Sequence, residues 1–505
     1  SCQSMISPSN QIEPLIFDKS TISSLFSFPI LSIYFYLYRL KSCHQIYNSA
    51  FMELNDNIFR ANDIRGIAFE DLTEEVVFAL GKALGTESIN RKQNDFIIGR
   101  DGRVSSPQLF EWLSGGVLSA GCNVIDIGIV PSPVFYHSTF NLNSSSGVVI
   151  TGSHNPADYN GFKILFNNNS TSSEEIQSIK KRIKEQDFLS GTGNIESFDV
   201  VESYVEEVTN NIKLKRPLNI SIDCGNGAAG VVAERIYKGL GCEVEGLFCD
   251  LDGEFPNHHP DPSRPENVED LIRSVAKNSS DIGLAFDGDA DRLGVISPSG
   301  EVIFPDMQMI LFSEHILKKN PNSKIVFDVK CSKLLEEAIL KFKGIPLMSK
   351  TGHTFIKSMI RENGAILGGE MSGHIFFNDR WPGFDDGVYA GARMLEILSE
   401  SEGEDIFNAL PKLISTPEIN LKTTDEEKFI IIDEFKKISN FDEGKIIEID
   451  GIRVEFDDGW GLLRASNTSP VLVLRFEADS SKALNHIKDR FKDTLYKIEP
   501  SLTNF

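Results

Sequence analysis

Short apolar segments with strand character alternate with segments of helical periodicity through most of this 505-residue chain. The strand-like segments are Asp95–Ile98, Val124–Ile127, Gly147–Thr151, Asn219–Asp223, Ile282–Phe286 and Lys324–Asp328. The helix-like segments are Glu74–Leu84, Pro107–Ala120, Glu174–Glu185, Ala228–Leu240 and Leu334–Phe342. Strands joined through helices form layers in which the helices cover a parallel or mixed sheet. The alternation therefore predicts an α/β fold.

The alternation restarts twice and changes character near Pro417. Beyond that point, a hairpin signal at Asp450-Gly451 is followed by two strand-like segments and by an amphipathic helix near Ser481–Leu495. This is an antiparallel α+β pattern. We expect three similar α/β domains with mixed sheets and a smaller C-terminal α+β domain. Their expected boundaries are 52–198, 199–302, 303–416 and 417–505.

Residues 1–51 differ from the rest, and we interpret them as an extension that is not part of the enzyme fold, which would start at Met52. The apolar segment Leu25–Tyr38 is 14 residues long and is interrupted by serine and proline. A membrane span needs about 20 apolar residues. A secretory signal begins with basic residues, whereas here Arg39 and Lys41 follow the apolar segment. A weak membrane or export segment and an ordered structural arm remain alternatives, and no membrane association is expected for 52–505.

The net charge of −23 disfavours nucleic acids and anionic membranes as partners, because both require clustered cations. It does not disfavour a small anionic ligand, which responds to the charge of its own pocket. The seven cysteines include no CxxC pair, so neither a disulfide framework nor a zinc cluster is expected. A reducing cytoplasm is the simplest location.

A serine lies between glycine and histidine just beyond the strand GVVI, in the segment Thr151–Pro156 (TGSHNP). Glycine allows a sharp turn there, and neighbouring amides can hold a phosphate, so Ser153 is well placed as a nucleophile or phosphate carrier. The G-x-S-x-G pattern of hydrolases does not fit, because position 155 is Asn. Lys163 adds a cation that could neutralise a phosphate or move a proton. The alternative is a turn in which the serine only caps the backbone.

Three carboxylates follow a second apolar strand, at Asp287, Asp289 and Asp291. At this spacing they can surround one hard cation, and without a counterion their proximity is costly. The EF-hand pattern does not fit, because Arg292 stands at its glycine position. Three protein oxygens leave Mg²⁺ room for a phosphate oxygen, which suits phosphoryl transfer. The alternative is a solvated acidic turn.

Two further polar segments suggest binding of a phosphorylated sugar. In an extended GEMSGH segment, Glu370, Ser372 and His374 would share one face and could bind sugar hydroxyls. The segment RASNTSP combines Arg464 with several hydroxyl and amide donors, which suits a phosphate. Ordinary polar loops are the alternative for both. The remaining candidates, each from a short motif, are Arg65 in NDIRG and His353 in KTGH.

The segment Gly225–Gly230 matches the G-x-G-x-x-G pattern of dinucleotide-binding loops, and Asp250 lies at the expected distance beyond it. The segment is in the middle of the chain, and it is no more distinctive than many glycine-rich turns between a strand and a helix. We therefore regard a nicotinamide site as a weak alternative.

TGSHNP, DGDADR, GEMSGH and RASNTSP occur in this order, and together they resemble the α-D-phosphohexomutase family. The resemblance covers essentially all of 52–505 and none of 1–51, and it is greatest to the bacterial phosphomannomutase/phosphoglucomutase branch. Phosphoglucosamine mutases are also similar, but they typically carry another residue at the position of Met371. Asn62 stands where the closest members often have an aromatic residue.

The resemblance implies four domains around a central cleft and a role for each motif. Ser153 would carry a phosphoryl group, with Mg²⁺ held against it by the three aspartates. Glu370 and Ser372 would bind sugar hydroxyls beside His374. The residues expected to hold the non-reacting phosphate are Arg464, Ser466, Asn467 and Thr468. The expected cationic or proton-moving residues are Arg65, Lys163, Arg292, Lys330 and His353, and His154 and Asn155 are further candidate substrate contacts.

The implied activity is that of an isomerase that interconverts hexose 1-phosphate and hexose 6-phosphate, with mannose or glucose as the sugar. The reaction would pass through a hexose 1,6-bisphosphate, which would also act as an activator. A small phosphosugar is the expected partner and a monomer the expected state. A phosphoglucosamine mutase, a phosphatase and a non-catalytic sugar-phosphate-binding protein are the alternatives.

Overall fold

The protein is represented by a computed structural model that describes residues 54–60, 63–401, 405–467, 469–503 and 505. The predicted extension 1–51, Asn62 and Thr468 lie outside the described residues. Four β-sheets follow one another along the described chain. We call these sheets, with their helices, block I (residues 64–197), block II (201–303), block III (305–400) and block IV (414–503).

Block I contains a mixed seven-stranded sheet. Its elements are β1 (Ile64–Ile67), α1 (Glu74–Asn90), β2 (Asp95–Arg100), α2 (Ser106–Ser119), β3 (Asn123–Ile129), α3 (Ser132–Asn141), β4 (Gly147–Ile150), β5 (Tyr159–Phe166), β6 (Asn169–Ser170), α4 (Ser173–Glu185) and β7 (Ile195–Ser197). The strand order is β1-β5-β4-β2-β3-β7, with β6 paired to β5. The strands β2, β3, β4 and β7 are parallel, and β5 is antiparallel to both of its main neighbours. Helix α4 begins where expected because Ser172 and Glu175 form a capping box.

Block II contains a five-stranded sheet in which β9, β8 and β10 are parallel. Its elements are α5 (Val201–Asn211), β8 (Asn219–Asp223), α6 (Ala233–Gly239), β9 (Glu243–Leu247), α7 (Glu269–Asn278), β10 (Ile282–Phe286), β11 (Leu293–Ile296) and β12 (Val302–Ile303), with 3₁₀ turns at Ala228–Val231 and Pro265–Val268. The prediction of one helix over Ala228–Leu240 was wrong at its start. The Ala228 amide donates to the Gly288 carbonyl (2.9 Å), which holds this segment against another loop and out of helical geometry.

Block III contains a four-stranded sheet in the order β14-β13-β15-β16, which is parallel apart from β16. Its elements are α8 (Pro305–Lys319), β13 (Lys324–Asp328), α9 (Lys333–Lys341), β14 (Ile345–Ser349), α10 (His353–Asn363), β15 (Leu367–Gly369), β16 (Ile375–Phe377) and α11 (Gly387–Glu400). Buried strands of parallel sheets are apolar along their whole length, which is why segments such as KIVFD were recognisable in the sequence.

Block IV contains a six-stranded sheet that is antiparallel throughout. Its elements are β17 (Ile414–Ser415), β18 (Ile419–Lys422), α12 (Glu427–Ile438), β19 (Lys445–Ile447), β20 (Ile452–Phe456), β21 (Gly459–Ala465), β22 (Val471–Ala478) and α13 (Ser481–Tyr496). The predicted hairpin at Asp450-Gly451 connects β19 to β20, and Gly451 has a φ of +75° that favours glycine.

One apolar core runs continuously through blocks I to III, whereas block IV has a core of its own. Blocks III and IV meet at a small cluster of Val329, Trp460 and Leu462, surrounded by buried polar contacts. Among them, the Arg453 guanidinium donates to the carbonyls of Val329 (2.7 Å) and Cys331 (2.6 Å). In the part of the chain that the structure describes, no helix is both long enough and apolar enough to cross a membrane.

Candidate active site

The four sequence motifs meet in one cleft, a cavity of about 420 Å³ to which all four blocks contribute. The predicted site residues that line it are Arg65, Ser153, His154, Asn155, Lys163, Arg292, Lys330, His353, Glu370, Ser372, His374, Arg464, Ser466 and Asn467. The loops that follow β4, β10 and β13 leave the carboxyl ends of parallel strands, which is where α/β sheets usually bind ligands. Thr468, the remaining predicted contact, lies outside the described residues.

Ser153 occupies a strained turn directly after β4. Its φ of +49° lies in the left-handed region that non-glycine residues rarely adopt, and its side chain is buried. The hydroxyl donates to Asp287 (3.0 Å) and lies 3.2 Å from Nδ1 of His154. A serine held in this way presents its oxygen to the cleft and to the acidic loop at once.

A buried arginine that sequence reasoning missed fixes the conformation of the serine loop. The Arg103 guanidinium donates to the backbone carbonyls of Ser153 (2.8 Å) and Asn155 (2.7 Å), and it pairs with Asp101. A Cβ atom on Gly152 would lie 2.5 Å from this guanidinium, so the glycine is required by the close approach. The serine is thus positioned from behind by groups that do not line the cleft.

Asp287, Asp289 and Asp291 lie beneath the cleft, fully buried, with one oxygen from each within 4.8 Å of the others. An oxygen of Asp289 and one of Asp291 have no hydrogen-bond partner. Buried carboxylate oxygens without partners are costly unless a cation fills the space between them, and a set of three neighbouring carboxylates suits a hard divalent ion. The donor set therefore fits a metal ion. The trio Asp291, His374 and Asp385 has similar spacing, but Lys357 already contacts Asp385 (2.6 Å).

Lys163 on β5 contacts the acidic loop from the other side. Its ammonium group donates to Asp289 (2.6 Å) and to Asp291, and Ser132 also donates to Asp289. Burial acts to raise the pKa of Asp289, but Lys163 outweighs it and holds that pKa below its ordinary value. Burial and the two neighbouring carboxylates raise the pKa of Asp287. The negative charge is therefore concentrated away from the Ser153 oxygen, which lies next to Asp287.

The predicted sugar-binding segment is a tight turn between β15 and β16, whereas we expected an extended segment. The Glu370 amide donates to the His374 carbonyl (3.0 Å), and the Gly373 amide donates back to the Glu370 carbonyl (3.0 Å). Glu370, Ser372 and His374 nevertheless line the same cleft. The turn brings the three side chains together by reversing the chain, not by strand alternation.

Glu370 is a buried acid whose ionisation should weaken the fold. Burial, and then the charge of Asp328, raise its pKa from 4.5 to about 7. Between these pH values the unfolded chain has lost the proton that the folded protein keeps, so stability falls as pH rises. Above pH 7 the full penalty is about 3 kcal/mol. We expect Glu370→Gln to raise the melting temperature relative to wild type by several degrees more at pH 8 than at pH 5.

Thermal unfolding of both proteins at the two pH values checks this prediction. Glu362→Gln, which removes an exposed carboxylate on α10, serves as the control and should show no such dependence on pH. A difference between Glu370→Gln and wild type that is equal at pH 5 and pH 8 would contradict the prediction.

The predicted phosphate-binding loop is the hairpin between β21 and β22, on the side of the cleft that block IV provides. Arg464 bonds Asp450 through Nε (2.9 Å), and one of its terminal nitrogens is buried without a hydrogen-bond partner. Asn467 donates to the Thr351 carbonyl (3.0 Å), which connects the hairpin to block III. Lys330 pairs with Glu418 (2.6 Å) at the same end of the cleft. This end therefore holds two cationic groups suited to an anion.

The glycine-rich segment Gly225–Gly230 serves packing in this structure. Gly225 and Asn226 both have positive φ values (+52° and +57°), and a Cβ on Gly230 would lie 1.9 Å from the Cys249 carbonyl. A Cβ on Gly227 would approach the backbone of Gly288 at 2.8 Å. The glycines thus bring this loop against the acidic loop, which gives their spacing a structural explanation.

Several residues that line the cleft were not among the predicted site residues. The additional residues that line the cleft include Arg60, Asp63, Arg264, Thr351, Gly352, Glu418 and Asn420. Asp63 pairs with Arg65, and Arg65 also bonds Asn155 (2.7 Å). Arg292 donates from Nε to Nε2 of His374 (3.1 Å). Asp385 lies behind His353 and His374, and Lys357 contacts this carboxylate. Of the additional residues, Asp63 lies in NDIRG, and Thr351 and Gly352 lie in KTGH, two segments that had drawn attention in the sequence for other residues.

Four family models match the chain, and they follow one another as the blocks do. Residues 56–190 match phosphoglucomutase/phosphomannomutase alpha/beta/alpha domain I, residues 202–300 match domain II and residues 304–415 match domain III. Residues 418–494 match the phosphoglucomutase/phosphomannomutase C-terminal domain.

Similar proteins and a solved structure agree with these matches. A phosphomannomutase/phosphoglucomutase of Pseudomonas putida is 49% identical over 89% of this chain and 97% of its own length. A phosphoglucomutase of Neisseria meningitidis is 47% identical over 86% of this chain and 96% of its own. A solved phosphoglucomutase/phosphomannomutase family protein from Burkholderia thailandensis has 45% identity and a TM-score of 0.86, covering 89% of this chain and 99% of that one.

The four blocks around one cleft, together with the names of the similar proteins, define the class of protein. It is a mutase, which is a kind of isomerase. The chain belongs to the phosphoglucomutase/phosphomannomutase family. The resemblance drawn from the four motifs is thereby confirmed, as are the predicted fold class and enzyme class.

Proposed function

We propose that this protein interconverts hexose 1-phosphate and hexose 6-phosphate, with mannose or glucose as the sugar, through a phosphoserine at position 153. The carrying observation is the buried Ser153 hydroxyl, which lies in a strained turn 3.0 Å from Asp287 and faces a cleft with cations at its far end. The names of the similar proteins support the same reaction.

The proposed reaction consists of two phosphoryl transfers. Phospho-Ser153 gives its phosphoryl group to the free hydroxyl of the bound hexose phosphate, so the bond from phosphorus to the serine oxygen breaks as one to the sugar oxygen forms. A base in the cleft accepts the proton of the sugar hydroxyl, and the serine oxygen takes up a proton as its bond to phosphorus breaks. The hexose 1,6-bisphosphate then turns end for end, and its other phosphoryl group returns to Ser153. Added bisphosphate would act as an activator by phosphorylating the free serine.

A magnesium ion fits the buried acidic loop. Asp287, Asp289 and Asp291 would hold it, together with an oxygen of the phosphoserine, because hard carboxylate oxygens are the ligands that Mg²⁺ prefers. When bound, the ion would offset the negative charge on the transferring phosphoryl group.

The cations of the cleft divide between the phosphoryl group that is transferred and the non-reacting phosphate of the sugar. Arg65, Lys163 and Arg292 lie on the serine side, where charge changes during transfer. Lys330 and Arg464 lie with Ser466 and Asn467 at the block IV side, where the non-reacting phosphate would bind, and Thr468 is proposed as a further contact of that phosphate. Glu370, Ser372 and His374 would bind sugar hydroxyls between the two sides, beside His154 and Asn155.

Lys163 and His353 are the proposed proton-moving groups, and their surroundings suggest a division of work. Burial acts to lower the pKa of Lys163, but its contacts with Asp289 and Asp291 raise it, so the amine keeps its proton and serves as a cation. Burial lowers the pKa of His353 despite the nearby Asp385, so this imidazole is neutral at pH 7 and can accept a proton.

The proposed domain boundaries are 52–198, 199–302, 303–416 and 417–505, with closure of the last domain retaining the intermediate. Because the cleft is built entirely within one chain, we propose a monomer. We also propose a cytoplasmic location, supported by the five described cysteines, all of which are free thiols.

A coupled assay with glucose 1-phosphate, mannose 1-phosphate and glucosamine 1-phosphate tests this function. We expect turnover of at least one of the two hexose phosphates, with a rate increased by a trace of hexose 1,6-bisphosphate. A clear preference for the glucosamine substrate would instead indicate a phosphoglucosamine mutase. Release of inorganic phosphate without isomerisation would indicate a phosphatase, and binding without turnover would indicate a non-catalytic protein.

A further inference from the structure

A buried lysine on α12, Lys428, lies against the hairpin between β21 and β22, which is the predicted phosphate-binding loop. Only 4% of its surface is exposed, and it does not line the cleft. Ser466, Asn467 and Ser469 of the hairpin do line the cleft. The hairpin therefore lies between the lysine and the cleft. A buried ammonium group is costly unless its hydrogens have acceptors, so its contacts show which part of the protein it serves.

The three hydrogens of the Lys428 ammonium group have three acceptors. Two of these are backbone carbonyls of the hairpin, those of Ser466 (2.8 Å) and Ser469 (3.1 Å). The third is a carboxylate oxygen of Asp425 (2.6 Å). An ammonium group has three donors and no acceptor, so all of its hydrogen-bonding capacity is used. Lys428 thus holds the hairpin from behind, as Arg103 holds the serine loop.

The contact with Ser466 determines the direction of the next backbone amide. A trans peptide is planar, and its C=O and N–H bonds point in opposite directions. The Ser466 carbonyl points toward Lys428, so the N–H group of Asn467 points away from the lysine and toward the cleft. The lysine thus turns a backbone donor of the hairpin to the side on which a ligand would bind.

Lys428 also places a positive charge behind this end of the cleft. The lining cations Arg464 and Lys330 already pair with carboxylates of the protein. Lys428 has a carboxylate partner too, but 71% of the Asp425 side chain is exposed, against 5% of the lysine side chain. Water and salt screen the exposed charge more strongly than the buried one. The hairpin therefore experiences a net positive charge from this pair, which favours an anion.

We propose that Lys428 is a positioning residue of the phosphate site, which holds the hairpin so that the Asn467 N–H group faces the non-reacting phosphate of the substrate. Backbone N–H groups that are fixed in this way bind anions well. The identity of the ligand rests on the proposed mutase function. Because the non-reacting phosphate is held alike before and during phosphoryl transfer, the lysine acts on binding of the sugar phosphate and not on the rate of transfer.

Lys428→Met tests the proposal, because methionine has an unbranched side chain of similar length and lacks the three donors. Isothermal titration calorimetry with glucose 6-phosphate measures Kd without requiring turnover. We expect Kd and KM to rise at least about tenfold, while kcat at saturating substrate stays within about threefold of wild type. A Kd that rises less than about threefold would overturn the proposal, and so would a loss confined to kcat.

Two controls separate positioning of the hairpin from stability of block IV. Lys436→Met removes a cation from the same helix, one that lies 3.9 Å from Glu448, and should leave Kd unchanged. Phe491→Leu removes volume from the core of block IV, so it should lower the melting temperature without changing Kd. If Phe491→Leu raised Kd as much as Lys428→Met does, Lys428 would serve stability alone, and the proposal would be overturned.

Hydrogen exchange of the wild-type protein tests the proposal without a substitution. We expect saturating glucose 6-phosphate to slow exchange of the Asn467 amide at least about tenfold, as measured by mass spectrometry with residue-level fragmentation. An Asn467 amide whose exchange is unchanged by the ligand would overturn the proposal even if Lys428→Met does not fold. Binding that depends on Lys428 in a protein that does not isomerise the sugar would support this inference and refute the proposed function.

Discussion

Ser153→Ala is expected to reduce kcat of the hexose-phosphate mutase reaction by at least about 10⁴-fold, because the phosphoryl group then has no carrier. The reaction needs a group that both gives and takes back phosphate, and no other hydroxyl among the described residues donates to Asp287. The fold should survive, because the change removes a single oxygen. Assay with either hexose phosphate measures the loss.

Mass spectrometry provides a second measurement of the same prediction. Intact wild-type protein should contain a fraction carrying one additional phosphate, which peptide mapping places on Ser153, and Ser153→Ala should lack it. Ser144→Ala is the matched control, since its buried hydroxyl donates to the Asp95 carbonyl (2.6 Å) far from the acidic loop. Phosphate found only at other residues, or full activity of Ser153→Ala, would refute the carrier role.

Asp289→Asn is expected to lower kcat by about 10³-fold while shifting the melting temperature by only a few degrees. The substitution replaces an oxygen of one of the three carboxylates proposed to hold Mg²⁺ with an amide NH₂ group, and it weakens the contact that orients Lys163 (2.6 Å). Stability changes little because three neighbouring carboxylates repel one another when no cation is bound. The kinetics are measured over a series of Mg²⁺ concentrations.

Asp281→Asn is the control for this prediction. It removes the same charge as Asp289→Asn, but from a carboxylate that pairs with Arg216 at the surface of block II. Chelation of the wild-type enzyme should abolish turnover, and added Mg²⁺ should restore it. This measurement keeps the metal site testable if Asp289→Asn does not fold. An enzyme that remains active after chelation, or a fully active Asp289→Asn variant, would contradict the assignment.

The elements of the fold were predictable where local patterns reflect burial. Strands buried on both faces, such as Ile282–Phe286, are apolar throughout. The capping box of helix α4 marks where that helix begins. The start of the helix predicted at Ala228 was not predictable, because its geometry depends on a bond to Gly288, some sixty residues away. Contacts of that kind leave no trace in a local pattern.

The same distinction applies to the site. Ser153 and the three aspartates were recognisable because the chemistry requires several residues within one short loop. Arg103 and Lys428 were not, because each is a single buried side chain that contacts a loop distant from it in the sequence. The turn at Glu370 could not be distinguished from an extended segment, because sequence spacing does not reveal a reversal of the chain. The roles proposed for these residues remain predictions for the experiments above.

The contact between blocks III and IV has a consequence for aggregation. It joins two separate cores through guanidinium–carbonyl bonds, such as those of Arg453, around the single indole of Trp460. If block IV swings away as proposed, water can replace those bonds, and the apolar surface uncovered there is that of the small cluster around Trp460. If the enzyme opens during turnover as proposed, we expect its opened form to remain at high concentration without aggregating.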